Sequence, residues 1–156
     1  MNAADVLKYG HLTVLKTIDG LRESDWSLPG ACGVWSIQDI LAHLASYEYV
    51  LVEVFASLLD GSPTPHLDLF ASPDYNDSQV ALRTGKTHAE VLDEYQTVHA
   101  DTLRLVARIP TETLRQPGTI PWYGAEYALD DLIVYQYYGH KREHCGQIAV
   151  FRDTLI

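Results

Sequence analysis

The chain has 156 residues and a formal net charge of −10, with 47% apolar and 21% charged residues. That length suits a single domain, residues 1–156, with enough chain to bury a core without staples. The acidic balance repels phosphate backbones and anionic lipid surfaces, so neither nucleic acid nor a membrane is an expected partner. Two cysteines, Cys32 and Cys145, are too few for a disulfide framework. The stretch MNAADVLKYGHLTVLKTIDG lacks the basic start and unbroken apolar run of a signal or anchor, and the cytoplasm is the expected location.

Four segments carry a helical pattern. In the first, residues 3–23, Val6, Tyr9, Leu12, Leu15 and Ile18 form a ragged stripe. Leu28-Pro29-Gly30 then breaks the chain. The second begins at Ser36, with Asp39 three residues on in capping-box spacing. Ile37, Ile40, Leu41, Leu44, Tyr47, Leu51 and Val54 carry its apolar face to about Asp60, where Gly61-Ser62-Pro63 stops it. Residues 61–85 are a Pro-, Asp- and Ser-rich connection, long enough to be functional, partly helical or mobile. The third helix starts near Thr87 with Glu90 in a second capping box, and Pro110 ends it. Residues 110–127 form another long connection carrying Trp122, Tyr123 and Tyr127. The fourth helix spans residues 129–154, with Ile133, Tyr137, His140, His144, Ile148 and Phe151 on its stripe. Strand signal is slight. The pattern predicts an all-α fold, a four-helix bundle.

His140 and His144 lie four apart, on one face and inside the apolar stripe. Both can point at one ion. Two ligands on one helix hold a metal weakly, and His43 on the second helix's inward stripe is the best third. Three imidazoles leave a position open for water or substrate, the arrangement of a catalytic site and not of a closed structural one. Seven histidines also allow such a pair to arise by chance, as rings merely buried in a core. His11, His66, His88 and His99 fall on exposed or ambiguous positions and are set aside.

Trp35-Ser36, Asp39, His43-Leu44 and Tyr47-Glu48, with His140-x-x-x-His144-x-x-Gln147-Ile148 near the C-terminus, resemble the DinB superfamily, which includes the YfiT-like metal-dependent hydrolases. The resemblance spans the chain in length and helix order. It implies a four-helix bundle in up-up-down-down order, a homodimer, and one divalent metal ion, zinc or nickel, held by His43, His140 and His144. It also implies a small-molecule substrate, with either transfer chemistry using a low-molecular-weight thiol as co-substrate or hydrolysis. Glu48 and Gln147 are candidates to orient a ligand ring or move a proton. Glu143 and Cys145 are rotated away from the ligands, and Cys145 reads as a small buried residue. Trp122, Tyr123, Tyr127, Tyr137 and Tyr138 are candidates for an aromatic pocket over the metal, with core packing the commoner role. Gly139, inside the last helix, is a place for close helix approach or local distortion, or is simply tolerated. Two further readings stay open: a non-catalytic metal- or small-molecule-binding module, and a bundle whose histidines only fill the core.

Overall fold

The computed structural model describes residues 2–155. Helix α1 runs Ala3–Ile18, and its start is capped by the Asn2 side chain, which accepts from the Asp5 amide at 3.2 Å. It ends five residues before the pattern suggested, because Asp19 turns extended and Gly20 takes a positive φ of 72°. Helix α2, Ile37–Asp60, has the expected capping box between Ser36 and Asp39, and it closes on Gly61 in the left-handed conformation. Helix α5, His88–Val106, opens on the expected Thr87–Glu90 box. The two long connections are partly helical. Residues 61–87 hold α3, Pro65–Phe70, and α4, Tyr75–Ala81, while residues 107–128 hold α6, Thr111–Arg115. Among the described residues no strand forms, and an isolated bridge joins Cys32 to Trp35.

The last helical rod is continuous but not uniformly wound. It starts as α7, Leu129–Leu132, passes through a π-helical stretch, Ile133–Gly139, and continues as α8, His140–Asp153. The wider winding ends on Gly139, immediately before the first histidine of the pair. A β-carbon on Gly139 would stand 3.3 Å from the Val134 carbonyl oxygen, so the bare backbone suits the wide turn. π-Turns are rare and are found mostly at functional sites.

The helix directions follow from side-chain contacts. α1 and the rod run parallel: Gly10 packs on Tyr138 and Lys141, and Arg152 bonds the Thr17 and Asp19 carbonyls. α2 and α5 also run parallel, since the Gln38 side chain bonds the Lys86 carbonyl and Glu48 meets Thr102. α2 opposes the rod, with Tyr47 against Tyr137 and His43 against His144. The up-up-down-down order implied by the resemblance is therefore corrected to up-down-down-up. The physical consequence is the long connection after α2. Parallel neighbours need a crossover, and a 24-residue helix is about 36 Å long. Residues 61–87 return along α2, bonding Glu53 at His66 and Leu67, then the Ser46 carbonyl through Tyr75, then Gln38 at Lys86.

Two apolar clusters make the core. One holds Leu7, Val50, Leu51, Phe55, Leu105, Leu129 and Ile133; the other holds Val14, Ile37, Leu41, Val91, Tyr95, Cys145 and Ile148. Each long helix contributes to both, and near the changeover from one to the other each carries polar residues: His11, His43 and Glu48, His99 and Thr102, and His140, Lys141 and His144. By composition α2 is apolar enough to cross a membrane, but 72% of that window is buried inside the fold, so its apolarity is used by the core.

Two helical glycines test the π-stretch. A β-carbon on Gly146 would meet nothing within 4 Å. Gly146→Ala should therefore gain about 1 kcal/mol in urea denaturation, the usual helical preference. Gly139→Ala should gain clearly less or lose stability, and equal gains would show that the π-turn does not need its glycine.

Candidate metal centre

His43 projects from the second turn of α2, and His140 and His144 from the first two turns of α8. The rod's opposition to α2 brings the three rings together. The Nε2 atoms of His43 and His140 are 3.0 Å apart, and those of His144 and His140 are 2.9 Å apart. The three groups form the one cluster of metal-binding type among the described residues. His43 and His144 are buried and His140 is half-buried.

Nitrogen bookkeeping shows what this cluster asks for. An sp² ring nitrogen either donates one hydrogen or offers one lone pair. His140 Nε2 faces two other Nε2 atoms at hydrogen-bond distance, and it cannot be properly satisfied by both. One cation among three lone pairs removes the conflict. The ligand atoms of the three rings all lie within 4.8 Å of one another, so one ion could be shared by them.

The protonation states agree. Burial, then the neighbouring His140 and His144, lowers the pKa of His43 to about 2. Burial, then His144 and Lys141, lowers His140 to about 3. His144 is lowered by burial, against the Gln147 hydrogen bond and Glu143. All three rings are neutral near pH 7, the form that binds a metal. Gln147 lies beside the cluster, its Oε1 2.8 Å from His144 Nδ1. That bond holds the proton on Nδ1 and leaves the Nε2 lone pair for an ion. His43 Nδ1 is buried without a partner. Trp35 and Tyr47 pack against the His43 ring with centroids 5.0 and 4.7 Å away.

Glu48 requires a correction. It reaches none of the three histidines and turns into the bundle instead. Fully buried, it pairs with Lys141, accepts from Thr102 Oγ1 at 2.7 Å, and lies 3.4 Å from His99 Nδ1. Burial works against its charge, but Lys141, followed by His99, outweighs it and holds the carboxyl well below the usual carboxylate range. Five residues past His43 is about 500° of helix rotation, so the two side chains leave α2 on different faces. His99 also differs from expectation. It is 3% exposed and stacks on His11 with centroids 3.9 Å apart. Lys141 was not singled out by sequence reasoning; its signal was a lysine on the stripe of Cys145 and Ile148. Glu143 is exposed as expected, and burial raises the thiol pKa of buried Cys145, which leaves it poorly reactive.

An all-helical fold with three neutral histidines converging at its middle defines a protein able to bind a metal ion. A family model described as the DinB superfamily matches residues 12–148, and the chain belongs to that superfamily. Comparison with curated proteins and with solved structures gives no match.

Two outcomes follow. Glu48→Ala leaves the Lys141 ammonium buried and unpaired, which should cost about 3–5 kcal/mol in urea denaturation. Zinc uptake by the folded fraction should stay unchanged, whereas a carboxylate serving the histidines would show the opposite pattern. The second outcome concerns pH. In metal-stripped protein the unfolded chain takes up protons on His43 and His140 as pH falls below about 6.5, while the folded chain does not. Stability should be full above about pH 7 and fall progressively toward pH 5. A flat urea midpoint over that window would contradict neutral buried rings.

Proposed function

We propose that this protein is a metal-dependent enzyme in which His43, His140 and His144 hold one divalent ion, zinc or nickel. The observation that carries the reading is His140 Nε2, pressed between two other ring nitrogens with no satisfactory hydrogen-bonding arrangement. When bound, the ion supplies Lewis acidity toward a thiol or a water. The reaction class is thiol-dependent S-transfer or hydrolysis, which resemblance to the DinB superfamily supports. The chain's own residues do the rest. Gln147 holds the tautomer of His144. Trp35 packs against the ring of His43, and Tyr47 against those of His43 and His140. The lowered pKa values keep the lone pairs free across the physiological range.

The same reading takes the protein as a cytoplasmic homodimer acting on a small molecule. The net charge of −10 supports the exclusion of nucleic acid and anionic membranes. A second reading is a non-catalytic metal- or small-molecule-binding module. It is favoured by the commitment of Glu48 to Lys141, which leaves no carboxylate hydrogen-bonded to the three histidines among the described residues.

Elemental analysis of untagged protein is the deciding experiment. Close to one zinc or nickel per chain is expected, lost in His140→Ala and in His144→Ala. No metal, even after zinc or nickel is added, would overturn both readings. Metal without turnover against thiol cofactors paired with electrophiles, or against esters and amides, would leave the binding module.

A further inference from the structure

The two long connections meet over one flank of the bundle. α3 brings Leu67, Asp68 and Phe70, the 107–128 connection brings Trp122 and Tyr123, and the rod brings Gln136, one turn before His140. Together they line a cavity of about 510 Å³, within the usual range for small-molecule sites. The crossover explains why α3 passes here, but topology does not explain the other connection. α5 ends and the rod begins at the same end of the bundle, so a short turn would have served, yet more than twenty residues are used.

The lining has a definite character. Phe70 and Trp122 meet edge to face, with centroids 6.2 Å apart at 75°. Trp122 and Tyr123 meet at 69°. Trp122 is 44% exposed, a large aromatic ring left half in water. Such edges and faces suit a further ring inserted between them. Asp68 is the formal charge on the lining, and no lysine or arginine offsets it. None of the three histidines is among the lining residues; the buried Tyr47 stands between the cavity and the histidine cluster. Its ring lies 5.0 Å from that of Phe70 and 4.5 Å from that of His140.

We infer that this cavity is the substrate subsite and that it takes a small aromatic compound that is neutral or cationic, presented past Tyr47 toward His140. An anionic compound, including a carboxylate-bearing thiol, is disfavoured by Asp68 and by the charge of the whole chain. A thiol co-substrate of that kind must approach the histidines from another side. The catalytic role of the subsite rests on the metal reading above; its occupancy and charge preference do not.

The test uses three probes with one ring and three charges: benzylamine, benzyl alcohol and benzoate. Each is titrated into the full chain, before and after chelator treatment, while the backbone amide NMR signals of Leu67, Phe70 and Tyr123 are followed, a readout that survives substitution of Trp122. Benzylamine and benzyl alcohol should give saturable shifts, with benzoate weaker than benzylamine by about tenfold or more. Trp122→Ala, which removes a half-exposed ring and spares the core, should weaken both binders by about tenfold. Asp68→Asn should narrow the amine–carboxylate gap. No saturable shift, benzoate binding as well as benzylamine, or affinities unmoved in both variants would overturn the subsite. In protein loaded with Mn²⁺, the protons of bound benzylamine should relax faster, and that effect should vanish in His140→Ala. Loaded metal without faster relaxation would overturn the link to the histidines. Failure to load any metal would overturn the enzyme reading, while the titrations would still decide the cavity.

Discussion

A layer of polar side chains crosses the middle of the bundle and separates two apolar clusters, and the rest of the structure is arranged around it. Each long helix supplies part of it. α1 gives His11, α2 gives His43 and Glu48, α5 gives His99 and Thr102, and the rod gives the half-buried His140 with Lys141 and His144. Burying so many polar groups is unfavourable unless they satisfy one another. In one half of the layer Glu48 does so with Lys141, reinforced by Thr102, while His11 Nδ1 and His99 Nε2 stay buried without a partner. The other half, the three converging imidazoles, does not satisfy itself with hydrogen bonds. Glu48 thus answers to Lys141 in the core, and the three converging nitrogens are the group that could hold a metal ion.

The geometry of the histidine half depends on the rod. His140 and His144 share a face because they lie four apart in ordinary α-helix, and that helix begins at His140. The preceding seven residues are wound more widely. A π-stretch changes the angular offset between the side chains before it and those after it, relative to a uniform helix. Tyr137 can therefore belong to one apolar cluster while His140 and His144 face His43. Gly139 sits at the junction, where a methyl group would press on a carbonyl oxygen.

Direction matters as much as winding. Because α2 opposes the rod, His43 meets the first two turns of α8. Because α2 is parallel to α5, the chain must travel back along the bundle between them. That crossover carries α3 past the flank of the histidine cluster, where it joins Trp122 and Tyr123 around a cavity. The connection rich in proline and aspartate is thus a consequence of topology, and its side chains supply one wall beside the site.

Much of this was legible in the sequence because it depends on local periodicity and local chemistry. The capping residues Ser36 with Asp39 and Thr87 with Glu90 set two helix starts through backbone bonds three residues away. The four-apart spacing of His140 and His144 put them on one face, and the place of His43 on an inward stripe made it the third partner. Gln147, three residues from His144, was within reach for the same local reason. What only the tertiary structure decided depends on which helices are neighbours and in which direction they run. Glu48 turned toward Lys141, 93 residues away, and not toward the histidines. His99 went into the core against His11 and Glu48. The order of the helices became up-down-down-up, and the aromatic residues of the last connection met those of α3. Stripe patterns report that a side chain points inward, but an interior has several sides, and packing alone determines which one each residue meets.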